Sequence, residues 1–257
     1  MKVAILLWAF GLAAAMPAFA EPTRVVVRVL SQDGKFVGDH TGGARVTLRD
    51  AQSGRTLAQG VTKGGTGDTD RIMRANGRSP LIQTDGAATF DAIVDIVEPT
   101  LVDLEAAGPL GRPWSLIKVT SRRWIVPGEP VDVGNGWMVE LPGLAITPTA
   151  SRDGSAVMVR AKVELMCGCP ITPGGEWDAS EYKVIATVWS GGRKLTETPL
   201  PFKESPGVFG GPVDVPSSTK AQIYVSAVNT RTGNSGLVSV PAPQRDEPLV
   251  KSRKPAG

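Results

Sequence analysis

The chain is predicted to be all-β, two tandem β-sandwich domains behind a cleaved signal peptide. Three observations predict this. Apolar residues recur with period two along short runs, as they do on strands with one buried face. The 30 glycines and 21 prolines of the 257 residues fall between those runs rather than in a block, which is how turns punctuate a β-protein. No helical period survives outside the first twenty residues.

Those twenty residues read Met1-Lys2, an apolar run from Val3 to Ala15, and Met16-Pro17-Ala18-Phe19-Ala20. A basic start, a short apolar core and an Ala-x-Ala-like end predict export with cleavage after Ala20. The run is shorter than the roughly 20 residues that span a bilayer, so an anchor is not expected, nor is a span in the mature chain. The expected address is the periplasm or the medium. Losing Lys2 takes the formal charge from +3 to +2. That small, dispersed excess with few aromatics argues against a nucleic-acid partner.

In the first half, predicted to occupy 21–145, Val25, Val27 and Val29 alternate with Arg24, Val26 and Arg28. Ala44, Val46 and Leu48 alternate in the same way with Arg45, Thr47 and Arg49. Asp50-Ala51-Gln52-Ser53-Gly54 suits a reversal, and Arg55 to Thr62 returns as the second arm of a hairpin. Residues 64–80 have little periodicity and are predicted to be a long loop. Strands resume over Ala88 to Ile96, Thr100 to Ala106, Leu116 to Val126 and Trp137 to Leu141. Pro142-Gly143 to Pro148 interrupts the pattern and is expected to be the boundary. The second half, predicted over 150–241, starts with Val157, Val159, Ala161, Val163 and Leu165 as a dry row. Tyr182 to Trp189 and Arg193 to Leu200 flank a hairpin turn at Ser190-Gly191-Gly192. Ala221, Ile223, Val225 and Ala227 form another inward row ahead of Leu237 to Val240. Residues 242–257 are expected to be a disordered tail.

Thr41-Gly42-Gly43-Ala44-Arg45-Val46-Thr47-Leu48-Arg49-Asp50, with Ser53-Gly54-Arg55-Thr56-Leu57-Ala58, resembles the opening hairpin of transthyretin-like and carboxypeptidase-regulatory-like domains. That resemblance implies a non-catalytic sandwich module. Tyr224-Val225-Ser226-Ala227-Val228-Asn229, followed by Gly233-Asn234-Ser235-Gly236, is similar to the last hairpin of bacterial immunoglobulin-like domains. This implies a fold that hosts adhesion, assembly and structural roles alike.

The sharpest chemical feature is Cys167-Gly168-Cys169, the only cysteines of the chain. Strand parity continues the buried row through Cys167 and points Met166 outward. Four outcomes stay open for an exported pair so close together. It could form a local disulfide shaping the turn into Pro170, form a disulfide to another chain, exchange with other thiols, or hold a soft ion such as copper(I), with Met166 or Met158 as a thioether supplement. A metal so held would be nearly solvent-facing. His40, the sole histidine, sits beside Asp39 in a predicted surface loop, which leaves a Ser-His-Asp site little to work with.

Asp68, Asp70, Arg71 and Arg74 in the 64–80 loop are candidates for contact with a partner. No P-loop or EF-hand spacing accompanies them. Trp114, Trp124, Trp137, Trp177 and Trp189 could build a sugar-stacking face or fill the core. A hydrolase would have to assemble dispersed carboxylates such as Asp68, Asp91 and Asp95. The reading that follows is a non-enzymatic exported module, without a cofactor, that binds a protein or polysaccharide of the cell envelope. The alternative is a copper-binding or thiol-redox accessory protein.

Overall fold

In the computed structural model the described residues are 20–153, 156–204, 206–216 and 221–243, so residues 1–19 of the signal-peptide reading and most of the predicted tail lie outside them. Seven strands form the first unit: β1 (Glu21–Ser31), β2 (Arg45–Asp50), β3 (Thr56–Val61), β4 (Phe90–Ile96), β5 (Thr100–Gly108), β6 (Ile117–Ile125) and β7 (Trp137–Leu141). They make two sheets, β4-β1-β7 and β3-β2-β5-β6. The first and last strands lie side by side in parallel, with Val27 opposite Trp137, while the other pairs are antiparallel. The alternating valines of β1 and the Val46 and Leu48 row of β2 meet between the sheets with Val94, Leu104 and Trp137. Burial of that apolar surface holds the layers together.

The second unit has eight strands: β8 (Leu144–Asp153), β9 (Ala156–Leu165), β10 (Tyr182–Ser190), β11 (Arg193–Pro199), β12 (Phe202–Glu204), β13 (Val208–Val213), β14 (Gln222–Asn229) and β15 (Ser235–Pro241). Their sheets run β8-β9-β13-β12 and β11-β10-β14-β15. Relabelled in chain order from A, with β11 as C′, these are the ABED and C′CFG sheets of an immunoglobulin-like sandwich. The Val157-to-Leu165 row of β9 packs against Ala186, Val188, Ile223 and Val225 from the opposite sheet.

Several expectations need correcting. The passage between the units falls at Pro142-Gly143, inside the expected boundary, but that boundary does not reach Pro148, because β8 begins at Leu144 and runs through it. Pro148 fits because β8 is an edge strand, whose outer side needs no N–H. Neither β12 nor β13 is apparent in the sequence, since Gly210, Gly211 and Pro212 blur the alternation. Gly210 is required by close approach, as a Cβ there would lie 2.7 Å from the Val159 carbonyl oxygen. The 64–80 segment is not all loop. It contains a short helix α1 (Thr69–Met73), capped by Asp68, whose side chain accepts the Arg71 N–H at 2.7 Å. One buried residue, Ile72, fastens it to a small cluster with Phe36, Ile82, Ala87 and Ala88. A helix of five residues is too short to display a 3.6-residue period.

Candidate functional site

The Cys-Gly-Cys turn lies at the junction of the two units. Cys167 and Cys169 are joined by a disulfide. Both are buried, with relative exposures of 0% and 3%, Cys167 as its strand parity requires, so a metal held there would not be nearly solvent-facing. Met166 is also buried, at 3%. It does point away from the second unit's core, as parity requires, but that direction leads into the first unit, whose apolar cluster it joins. Glu164, two residues earlier on the same side of β9, is buried as well. Arg112 from the first unit holds it through a bidentate pair at 2.8 and 3.2 Å.

Hydrogen bonds close the junction around the turn. Ser31 Oγ accepts the Met166 N–H at 3.0 Å, and Thr41 Oγ1 donates to the Met166 carbonyl at 3.2 Å. The Lys35 N–H points at Cys167 Sγ, 3.4 Å away. Trp177 Nε1 donates to the Asp33 carbonyl at 2.6 Å. Asn234 bridges both sides, donating to the Gln32 carbonyl at 3.3 Å and accepting the Gly143 N–H at 2.8 Å. His40 is exposed, as expected of a surface residue, yet it belongs to a 3-10 turn (Asp39–Thr41) set over Gly168. A Cβ on Gly168 would lie 2.3 Å from His40 Cδ2, and its φ of +77° also demands glycine.

The electrostatics of this junction are settled by Glu164. Burial pushes its carboxyl up, but the hydrogen bonds and charge of Arg112, then those of Lys162, outweigh burial and leave its pKa lowered. Among the described residues, no three or more His, Cys, Asp or Glu side chains cluster to hold a metal ion. The two sulfurs bond each other and Met166 is engaged in the other unit's core, so the three candidate ligands do not share an open site.

The loop candidates have internal partners. Asp68 caps α1, Asp70 pairs with Arg74, and Arg71 Nε donates to the Leu81 carbonyl at 3.0 Å. Arg74 also reaches Glu176 of the second unit at 3.4 Å. Asp91 pairs with Arg24, so Asp68 and Asp91 have structural duties. The five tryptophans do not share a face. Trp137 and Trp177 are buried, whereas Trp114, Trp124 and Trp189 are exposed on a 3-10 turn, β6 and β10.

One exposed tryptophan has company. On the outer face of β10 and β14, Trp189 stands edge-to-face with Tyr224, ring centroids 6.5 Å apart. The register sets Thr187 opposite Tyr224, Trp189 opposite Gln222, and Ser226 opposite Leu237 of β15. Together these line an open depression of ≈ 690 Å³. The bounding hairpin turns through Gly191 and Gly192, both at positive φ, as a two-residue type I′ connection requires. Among the described residues, none has a heavy atom within 4 Å of a would-be Cβ on either glycine. Sequence reading placed Trp189 among five undifferentiated tryptophans and passed over Tyr224. The signal was present in Gln222, Tyr224 and Ser226, which alternate with the inward row and so occupy the solvent face together.

No helix among the described residues is long and apolar enough to cross a membrane. No protein-family model and no curated protein matches the chain. Solved structures similar to it include a DUF3823 family protein from Bacteroides ovatus, 12% identical with a TM-score of 0.31, covering 86% of this chain and 98% of that one. The alpha chain of the chicken interferon gamma receptor aligns at 11% identity and a TM-score of 0.32, over 87% of this chain and 98% of that one. Apo β-glucuronidase 3 from Bacteroides uniformis aligns at 12% identity and a TM-score of 0.22, over 86% of this chain and 25% of that one. Scores so low carry no functional argument, and the sandwich assignment rests on the strand order and register described above.

Proposed function

We propose that the chain is an exported, non-enzymatic binding module that engages a protein or polysaccharide of the cell envelope through the outer face of β10, β14 and β15. The observation that carries this reading is the Trp189–Tyr224 pair at the centre of an open depression. Solvent-facing sheet positions ordinarily hold charged or small polar residues, and an exposed Trp189 beside a half-buried Tyr224 there fits a surface kept for a ligand. Export is supported by the Val3-to-Ala15 run and the Ala-x-Ala-like end at Ala20. The first unit reads as a transthyretin-like support, in keeping with the β2–β3 hairpin and its Gly54 turn.

The test is co-sedimentation of the purified mature protein with envelope material from the cells that make it. The Trp189→Ala/Tyr224→Ala double variant is expected to lose retention about tenfold or more, as for two aromatic contacts, with an unchanged melting temperature. Equal retention of the two proteins overturns the proposal.

A further inference from the structure

We infer that the ligand of this face is an uncharged glycan chain. The inference rests on the binding-module reading and narrows it to one chemical class. It is carried by which side chains the sheet register brings together and which it keeps away.

Charge is the first discriminator. None of the described residues lining the depression carries a formal charge at neutral pH. On the same sheet the nearest charges in register are on β11: Arg193 opposite Ser190 at the turn, and Lys194 and Glu197, which lie opposite Trp189 and Thr187 on the face itself. Lys194 and Glu197 neutralise each other through a pair at 2.8 Å. A polyanionic or polycationic chain would leave its charges without partners here, and it would lose hydration that nothing replaces.

The mix of groups is the second discriminator. Protein interfaces are built around large apolar anchors and arginine and are poor in serine, and serine and threonine are scarce among their energetic centres. This face shares the Trp and Tyr of such interfaces, but among its described residues it has no arginine, and the hydroxyls of Thr187 and Ser226 and the amide of Gln222 are set around the two rings. A sugar ring presents an apolar C–H face bordered by hydroxyls. The C–H face suits the negative face of an aromatic ring, and the hydroxyl border suits side chains that both donate and accept. Trp189 is held for this purpose, because its Nε1 donates to Thr187 Oγ1 at 3.1 Å and its edge-to-face partner restricts the indole plane.

Affinity electrophoresis tests the class. The mature protein is run in native gels cast with soluble uncharged polysaccharides (a mixed-linkage glucan, a galactomannan, an arabinoxylan and a dextran) and in a gel cast with polygalacturonate. The expected result is retardation by at least one uncharged polymer, about tenfold weaker in Trp189→Ala, with none by polygalacturonate. Retardation by no uncharged polymer, by polygalacturonate alone, or equally in Trp189→Ala overturns the inference. If the uncharged polymers fail while envelope co-sedimentation persists and still depends on Trp189 and Tyr224, the glycan class is wrong and the binding module stands. If both fail, both fall.

Discussion

Ser31 Oγ accepts the backbone N–H of Met166 at 3.0 Å, joining residues 135 positions apart across the junction of the two sandwiches. The Met166 side chain continues past that bond into the first unit's core. Met166→Ala therefore removes packing from a core other than that of its own strand. A loss of about 2–4 kcal/mol is expected in urea denaturation. Both units should unfold in one transition, as tryptophan fluorescence and far-UV circular dichroism would report. A loss below about 0.5 kcal/mol, the range of ordinary surface substitutions, would show that Met166 does not plug the junction.

Arg112→Ala leaves Glu164 buried beside Lys162 alone. The expected cost at neutral pH is about 3 kcal/mol, since a buried carboxylate without its main partner is expensive. The lowered pKa of Glu164 in the folded chain gives the sign of the pH dependence. Its contribution is present above the unfolded value of about 4.3 and is lost as pH falls through the folded value. Stability against pH should thus fall less steeply in acid for Arg112→Ala than for the parent. Parallel curves would place the acid-labile group elsewhere.

The disulfide should resist reduction while the fold is intact, because both cysteines are buried in the second unit's core and Cys167 Sγ is covered by the Lys35 N–H of the first. Thiol labelling after a mild dithiol treatment is expected to be slow in buffer and rapid in denaturant. Equal rates would mean that the junction is open in solution. Copper(I) uptake, if it occurs after reduction, should be accompanied by loss of melting temperature, since the sulfurs must leave the core to reach the ion. Uptake with no such loss would favour the copper-binding alternative.

Replacing both cysteines by serine should cost more than replacing both by alanine. Closing so short a loop restrains the unfolded chain little, so the difference comes from burying two hydroxyls, at about 1–3 kcal/mol for each left unpaired. Thermal melts of the two double variants decide this, and equal melting temperatures would argue that the turn can rotate to solvent.

Gly168→Ala is expected to cost more than about 2 kcal/mol, the upper cost of a left-handed conformation for an ordinary residue. Contact with His40 and Thr41 adds to that conformation's cost. Adding His40→Ala should recover part of the loss, leaving the backbone cost and the contact with Thr41. No recovery would show that His40 does not press on the turn.

Alternation by itself determined the β1, β2, β9, β10 and β14 rows, because a period of two survives wherever one face of a strand is dry and the other wet. It also determined the β2–β3 and β10–β11 hairpins, whose turns need glycine at positive φ. It could not reveal β8 or β13, where proline and glycine are tolerated only because of edge position and close backbone approach. The outward direction of Met166 was legible from parity, but not its burial, because what lies outside one sandwich is set by the docking of the other. Likewise Tyr224 was readable as a solvent-face residue, while its meeting with Trp189 required the β10–β14 register. Parity assigns a side chain to a face of its own strand, and only tertiary packing decides whether that face meets water, a second domain or a ligand.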